Sequence, residues 1–486
     1  MMTRLCAAVG IIVAMALPAL TPARPSGRLP TASAAPRGAL AGRGPLAAPA
    51  AAPRDRYCFN LPQPSDPAVR TVAVGQDPTG VTVDTRTHRA FVIDRYGPAN
   101  SHLGDQLTVS VLDTRGGAVL ATRALGAGLD PVEGDHVVAA DERTGRVFVL
   151  TDHLPTSGGR PLVGPSSVVV LDALTGAVLS LVRLDGRAIA LAVDEQDGHV
   201  FVLGAVATVP RDLPFPLGRG FVSMLDATTG RLLSVTPVGE TPTALAVDAR
   251  SRHVFVATEG PFTDSRLSTP IAPGTVSILD AGSGQMVGTV GVGVAPAGVA
   301  VDPRSGHAFV VNLGLGAPQF GVWGTVSPIT SSVSILDAVQ GTVVLTVGVT
   351  LAGPEVVAVA GTGRVFLGTG EGPVMLDAVD GARLPLPDPT IVDLAAARPV
   401  AVDTRQERVV LVYGNLSVHG GSLGVGTAFV LDARTGAPLA ARPLAYGPGA
   451  AAIDPGTGRV FIVNAFASCP FEQYGPLNGG VSVFRV

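Results

Sequence analysis

The sequence predicts an all-β repeat fold. Apolar segments ending in Val-x-Val-Asp, Phe-Val-Val and Val-Ser-Ile-Leu-Asp-Ala return in the same order about every 54 residues, from position 71 to the last residue. Turn residues bound each segment, and none of the segments has the period of a helix. Repetition at such an interval indicates an architecture in which each unit covers the hydrophobic face of its neighbour.

Each repeat contains four predicted strands, which we call a, b, c and d. In one repeat they cover residues 245–248, 254–257, 276–279 and 286–293. The links from a to b and from c to d are short turns in which an Asp side chain bonds its own backbone. Four antiparallel strands repeated radially are the blades of a β-propeller.

The strand-a segments predict eight blades. The sixth segment is short and irregular, so a seven-bladed propeller is the alternative. The eight segments end at Asp84, Asp141, Asp194, Asp248, Asp302, Ala360, Asp403 and Asp454.

The two ends of the repeat array complement each other. The last repeat has no strand d, and an isolated d-type strand at residues 71–75 precedes the first repeat. Pairing this strand with the last blade closes the ring and removes two exposed sheet edges. In an exported chain Cys58 and Cys469 are the two cysteines that remain, because Cys6 is removed with the signal. We therefore predict a Cys58–Cys469 disulfide across the closure.

The N-terminal region has the organisation of an exported protein. A positive start and an apolar core over residues 5–20 predict a signal peptide at 1–23, followed by an Ala/Pro/Gly-rich disordered linker at 24–56 and the propeller at 57–486. The apolar core is shorter than the ~20 residues of a membrane span. We expect bacterial-type export, with a secreted or cell-surface location.

The composition limits the classes of partner. Charged residues make up 15% of the chain and the formal net charge is -4, so the sequence has no basic footprint for nucleic acid. We expect a monomer without a stable membrane span, and an extracellular protein, glycan or small ligand as partner.

The repeat resembles that of the YVTN-type β-propeller proteins. The resemblance covers residues 71–486 and is clearest over residues 274–312, where Phe309-Val-Val-Asn312 stands at the position of the naming motif. Phe461-Ile-Val-Asn464 repeats it. The resemblance implies an exported or surface propeller with a binding role, and it implies no particular ligand.

The Asp-Ala-x-Thr-Gly turn also resembles the repeat of eight-bladed quinoprotein dehydrogenases. Those repeats carry a Trp after the Gly, whereas this chain has the single Trp323, in a loop, and no adjacent cysteines for quinone stacking. The quinoprotein-like interpretation is therefore the less favoured one.

The b–c loops are the predicted binding surface, because they are long and differ from repeat to repeat on a rigid scaffold. Aromatic residues are scarce in the chain at 5%, yet several fall in these loops. They are candidates for partner contact, and the alternative is that they fix the loops to the scaffold. They are Tyr96, Phe215, Phe262, Phe320, Trp323, Phe466, Phe471 and Tyr474.

A second candidate site lies at the predicted channel mouth. The second repeat has an insertion before its strand a that carries Glu133, Asp135 and His136, and Glu355 follows the matching Pro of the sixth repeat. Carboxylates and an imidazole that converge on the axis are suited to a divalent cation or to acid–base work. Solvated loop residues are the alternative.

Four further histidines and the repeated Asp residues are explained by turn structure, whereas His102, His153 and His419 fall in b–c loops without the spacing of metal ligands. His88, His199, His253 and His307 are assigned to one equivalent position in the a–b turn. No known catalytic motif is present, so the sequence favours a non-enzymatic binding or scaffold module and no cofactor. The alternatives are a metal-dependent lactonase or lyase with a cation in the channel, and a structural surface-layer protein.

Overall fold

The computed structural model of the chain describes it from residue 66 onward, with gaps. In this part every regular element is a β-strand. The predicted signal, the linker, Cys58 and Cys469 lie outside the described residues. The described ranges are 66–98, 101–103, 106–132, 136–153, 165–207, 218–259, 262–264, 267–270, 273–314, 331–349, 357–359, 362–368, 372–387, 397–414, 416–417, 422–423, 425–466 and 479–486.

The strands form successive antiparallel groups of four, which we call units, and the predicted order a, b, c, d is confirmed. The first three units are Gln76–Asp84, Arg89–Tyr96, Leu107–Asp113 and Val119–Gly126; then Leu129–Pro131 with Val138–Asp141, Arg146–His153, Ser167–Asp172 and Val178–Arg183; then Arg187–Asp194, His199–Ala207, Gly218–Asp226 and Leu232–Glu240.

Units 4 to 6 follow the same order, and unit 6 has the shortest strands. They are Pro242–Asp248, His253–Thr258, Thr275–Asp280 and Met286–Gly291; then Pro296–Asp302, His307–Asn312, Ser332–Asp337 and Thr342–Gly348; then Val357–Val359, Arg364–Leu367, Val374–Asp377 and Arg383–Leu384. Two small hairpins, Phe262–Asp264 with Leu267–Pro270 and Leu416–Ser417 with Ser422–Leu423, lie in b–c connections.

Units 7 and 8 share one seven-stranded sheet, because a single long strand, Pro438–Asp454, is strand d of the first and strand a of the second. The other strands are Arg398–Asp403, Arg408–Tyr413 and Val425–Asp432 in unit 7, and Arg459–Phe466 and Gly480–Arg485 in unit 8.

The first described strand pairs with the last one. Arg70–Ala73 runs antiparallel to Gly480–Arg485, with Arg70 opposite Val483 and Ala73 opposite Gly480. The Val74 N–H donates to the Gly479 carbonyl at 3.2 Å, and the Gly479 N–H to the Gly75 carbonyl at 2.8 Å. The strand that precedes the first unit therefore occupies the d position of unit 8.

Strand a begins earlier than the sequence pattern indicates. In several units it includes a proline, and the pairing register shifts beside it, as at Pro242 and Pro296. A bulge lets a residue without an N–H lie inside a paired strand. In unit 2 the insertion predicted from the sequence divides strand a into two pieces that both pair with strand b.

The tight turns have the predicted Asp geometry. At the end of strand a, the Asp84 carboxylate accepts the Thr87 N–H at 2.8 Å. At the end of strand c, Asp226 accepts both the N–H and the hydroxyl of Thr229 at 2.7 Å. The bond from the Thr229 hydroxyl holds the pKa of Asp226 below its usual value. Turn structure therefore accounts for these repeated carboxylates.

The core consists of clusters that each join two consecutive units. A buried Phe of strand b in one unit packs against the next unit, as Phe255 of unit 4 does against unit 5. Phe461 of unit 8 packs in the same way against Val92 and Leu112 of unit 1. The equivalent fully buried phenylalanines are Phe91, Phe148, Phe201, Phe255, Phe309, Phe366 and Phe461.

One sequence assignment is wrong. His199, His253 and His307 begin strand b and lie opposite the strand-a Asp, whereas His88 lies one residue earlier, in the turn, with φ 56°. The position equivalent to the three histidines is Arg89 in unit 1. The strand-b position lies five residues after the strand-a Asp in all these units, whereas His88 lies four residues after Asp84, at the left-handed turn position that Gly198, Arg252 and Gly306 occupy in the other units.

Candidate functional site: the loop face

The two kinds of tight turn meet at one end of the sheets. The N–H of Thr114, in a c–d turn, donates to the carbonyl of His88, in an a–b turn, at 3.0 Å. Ala173 donates to Gly145 at the same distance in unit 2. The b–c and d–a connections therefore share the opposite end, which we call the loop face.

His136 is the one predicted cation ligand that lies within the described residues. It is exposed, and its carbonyl accepts the N–H of Leu191, from strand a of unit 3, at 2.8 Å. Glu133, Asp135 and Glu355 lie outside the described residues. Within the described ranges, no three His, Cys, Asp or Glu side chains are grouped as a metal site requires.

Three of the predicted aromatic contacts lie on described strands. Tyr96 is the last residue of its strand b and is 43% exposed. Phe466 ends strand b of unit 8 and occupies the equivalent position, five residues after the core Phe. Phe262 lies opposite Pro270 in a small hairpin. Phe215, Phe320, Trp323, Phe471 and Tyr474 lie outside the described part.

A buried ion-pair network at this end was missed by the sequence analysis. The guanidinium of Arg95 is 8% exposed, with its Nε 2.8 Å from an Asp77 oxygen and its Nη1 3.3 Å from Asp130. The three residues come from strands b and a of unit 1 and strand a of unit 2. The available signal was an Asp-Pro pair at the start of strand a in both units. Arg95 therefore fixes the relative position of two units beneath the loops.

Next to Arg95, Asp94 is a fully buried carboxyl. Burial raises its pKa to about 8, and the Ser110 hydroxyl lies 2.6 Å from one carboxyl oxygen. The equivalent residues of units 5 and 8 are Asn312 and Asn464, whose amides donate at 3.0 Å to Ser334 and Ser482. Asp94 therefore occupies the position that an amide side chain has in units 5 and 8. At pH 7 its carboxyl is mainly in the neutral acid form.

A second polar group joins units 2 and 3. The Ser166 hydroxyl donates to Asp152 at 2.5 Å and accepts the Ala188 N–H at 2.8 Å. His153 Nε2 lies 2.8 Å from the Ser167 hydroxyl. Ser167 is fully buried, so this Ser–His pair has no access for a substrate and orders the strand ends instead.

Glu259 is a further carboxyl on the loop face. It follows strand b of unit 4, and its N–H donates to the Thr241 carbonyl at 3.0 Å. Burial raises its pKa to about 7. A carboxyl with this property is suited to proton transfer when a second group lies within hydrogen-bond reach. Nothing in the residue pattern around Glu259 indicated this burial.

Solved structures give the fold its name. The chain is similar to the Dos1 propeller at 12% identity and a TM-score of 0.53, over 86% of this chain and 94% of that one. The chain is a β-propeller. BamB from Moraxella catarrhalis is less similar in shape, at 13% identity and a TM-score of 0.47 over 86% and 98% of the two chains. Kuenenia stuttgartiensis hydrazine synthase is similar at 16% identity and a TM-score of 0.44, over 85% of this chain and 97% of that one.

Sequence comparison adds no relative of the propeller. No protein-family model matches it, and no curated protein does. Its described part contains no helix with the length and apolarity needed to cross a membrane.

Proposed function

We propose that the chain is an exported binding or scaffold module, in which an eight-bladed closed propeller carries a partner-binding surface on its loop face. The observation that carries this proposal is the difference between the two ends. The turn end repeats one Asp-centred geometry from unit to unit, whereas the b–c connections differ in length and residues. Variation on one side of a rigid scaffold is typical of recognition surfaces.

Two observations support a closed ring of eight blades. The strand Arg70–Ala73 supplies the fourth strand of unit 8. The core cluster around Phe461 joins unit 8 to unit 1 in the way that the other clusters join consecutive units. Closure also removes the free sheet edges that would lead to aggregation.

Rigidity beneath the loops supports recognition by preformed surfaces. The buried Arg95 is held between two carboxylates of neighbouring units, Asp77 and Asp130, which fixes the relative position of these units. Above it, Tyr96 and Phe466 end equivalent strands of two units that share a core cluster. Aromatic side chains at such positions supply much of the binding energy of interfaces.

We also infer that the repeat is of the YVTN type. The support is the equivalent role of Asn312 and Asn464, whose amides donate to a strand-c Ser and to the carbonyl of the residue two positions earlier. This interpretation gives the Asn a structural reason, which is to tie strand b to strand c beside the loop face.

The test of the binding role compares the two ends of the propeller. The secreted chain is immobilised and exposed to the surface extract of its own cells, together with Tyr96→Ala/Phe466→Ala and with Val339→Ser. Val339 is 67% exposed in a c–d turn, so Val339→Ser is the control at the opposite end. A partner retained by the wild type and Val339→Ser but lost by the double variant supports the proposal. Equal retention by all three chains contradicts it.

Export is tested by the intact mass of the secreted protein. Cleavage near residue 23 and a mass two hydrogens below that of the reduced chain are expected if Cys58 and Cys469 are joined. A full-length, uncleaved product in the cell fraction contradicts export. A mass spectrum of the secreted protein under native conditions tests the metal-dependent enzyme, since a bound divalent ion adds its own mass.

A further inference from the structure

Unit 8 departs from a charge pattern that the other units keep. In seven units the first residue of strand b is Arg or His and lies directly opposite an Asp at the end of strand c, as Arg146 lies opposite Asp172. In unit 8 the corresponding pair is Arg459 and Arg485. Like charges directly opposite one another in an antiparallel pair are destabilising. The remaining pairs are Arg89 with Asp113, His199 with Asp226, His253 with Asp280, His307 with Asp337, Arg364 with Asp377 and Arg408 with Asp432.

The two arginines line a cavity together with two others. Arg70, from the N-terminal strand, and Arg442, from strand d of unit 7, are the other two, so four arginines are among the residues that line a volume of about 490 Å³. Val483 and Phe484 supply apolar lining. The cavity lies at the seam where units 7, 8 and 1 meet, away from the loop face, and its volume is in the range of small-ligand sites.

The charge in this cavity is largely uncompensated. Arg442 lies 3.0 Å from the Asp66 carboxylate, and its Nε is buried without an acceptor among the described residues. Within the described part, the side chains of Arg70 and Arg459 donate only to the carbonyls of Gly116 and Thr114, and the Arg485 side chain makes no hydrogen bond. A guanidinium group has five N–H donors, so most donors of these four side chains have no acceptor within the described part.

We propose that this cavity is a binding site for a small oxyanion ligand that carries two or more phosphate or sulfate groups. Arginine forks pair bidentately with the oxygens of such groups, which is their strongest form of hydrogen bonding. A bound dianion would supply the negative charge that Asp supplies in the other seven units. Because the four arginines belong to unit 7, unit 8 and the N-terminal strand that completes unit 8, a bound anion would also hold that strand and the two units together. This site is independent of the loop-face function.

The test uses sodium pyrophosphate, inorganic phosphate and a sulfated disaccharide as probes, in metal-free buffer at low salt, with the secreted full chain. Calorimetric titration is expected to give one site, and the melting temperature is expected to rise with ligand concentration, as mass action requires. Tight binding of the inorganic anions assigns the site to free oxyanions, and binding of the disaccharide alone assigns it to sugar-borne sulfate. Both results support the shared chemistry.

Arg485→Asp is the decisive variant, because it restores the ion pair of the other units. We expect at least a tenfold weaker affinity for the anion and an unchanged or higher melting temperature without it. Arg485→Gln is expected to weaken binding with little effect on folding, since Arg485 is exposed. Arg405→Gln, at an exposed a–b turn, is the matched control and should bind as the wild type does. No binding of any probe, or equal loss in Arg405→Gln, overturns the proposal.

Discussion

Arg459 and Thr114 are 345 positions apart in the chain, and the Arg459 guanidinium donates to the Thr114 carbonyl at 2.9 Å. Within the chain, His253 makes the equivalent contact, with its Nδ1 2.8 Å from the carbonyl of Ala338 in the next unit. His199 and His307 contact Ala281 and Ala378 at 2.9 and 2.8 Å. The joint between the last and the first unit is therefore made by the same repeat position as the joints between consecutive units.

Arg459→Ala should weaken that joint. In the Arg485→Gln background, which removes the like-charge contact with Arg459, we expect the free energy of unfolding to fall by about 1 kcal/mol, the usual net value of one hydrogen bond, in buffer without multivalent anions. Chemical denaturation of the purified chain measures it. Arg115→Ala, which removes an exposed arginine in the neighbouring turn, is the control and should leave the free energy unchanged. An equal loss in both variants would show that the contact is not specific.

This joint shows what the sequence could and could not predict. The repeated strand segments predicted the order of strands and the complementary chain ends, because a strand that is buried on both faces consists of a continuous run of β-branched and other apolar residues. The hydrogen bond from Arg459 to Thr114 depends on a pairing of distant segments that no local pattern contains. The assignment of His88 was wrong for a local reason, since His88 lies four residues after its strand-a Asp, at the left-handed turn position, whereas His199, His253 and His307 lie five residues after theirs.

Asp94→Asn should become more stable relative to the wild type as the pH rises. The pKa of Asp94 is about 8 in the folded chain and near 3.8 when unfolded. The unfolded chain releases the proton above about pH 4, whereas the folded chain keeps it until about pH 8, so the free energy of unfolding falls with pH across that window. Asparagine has no such loss, and Asn312 shows that the site accepts an amide. The melting temperature of the variant, relative to the wild type, should increase from pH 5 to pH 8.

Asp226→Asn should change the stability with the opposite dependence on pH. Hydrogen bonds from Thr229 lower the pKa of Asp226, so its contribution is present above pH 4 and is lost as the pH falls through the folded-state value. This variant should be less stable than the wild type at pH 7, and the difference should shrink as the pH falls below 4. A melting difference for Asp94→Asn that stays constant with pH would contradict the assigned burial of its carboxyl.

Gly75→Ala should destabilise the connection between the N-terminal strand and unit 1. A Cβ at Gly75 would collide with the Asp94 side chain and with the Tyr96 carbonyl, which is backbone and has no room to move. Gly288 lies in strand d of unit 4, where an added Cβ meets nothing within 4 Å. Gly288→Ala should therefore be neutral or slightly stabilising. Thermal unfolding of the two variants side by side measures the difference, and equal melting temperatures would contradict the close approach at Gly75.

The candidate site was less predictable than the fold. The sequence directed attention to the loop face through Tyr96 and the insertion at His136, and both lie at that end of the sheets. It did not indicate the network of Arg95, because an ion pair between strands of two units has no spacing along the chain. The pKa of Asp94 likewise depends on its burial, which raises it, and on hydrogen bonds from Ser110 and Gly75, which lower it, and only the folded neighbours define these contacts.

The predicted Cys58–Cys469 bridge should stabilise the closure, because the strands that follow the two cysteines in the chain pair with each other. Gly75 and Gly479, which follow the cysteines in the chain by 17 and 10 residues, are joined by a backbone hydrogen bond of 2.8 Å. A bridge over so long a loop contributes on the order of 5 kcal/mol at most in the chain-entropy description. Cys58→Ser, Cys469→Ser and the double variant should all melt at the same lower temperature, equal to that of the reduced wild type. If Cys58→Ser melts at the same temperature as the oxidised wild type, the bridge does not form and the paired strand Arg70–Ala73 holds the seam without it.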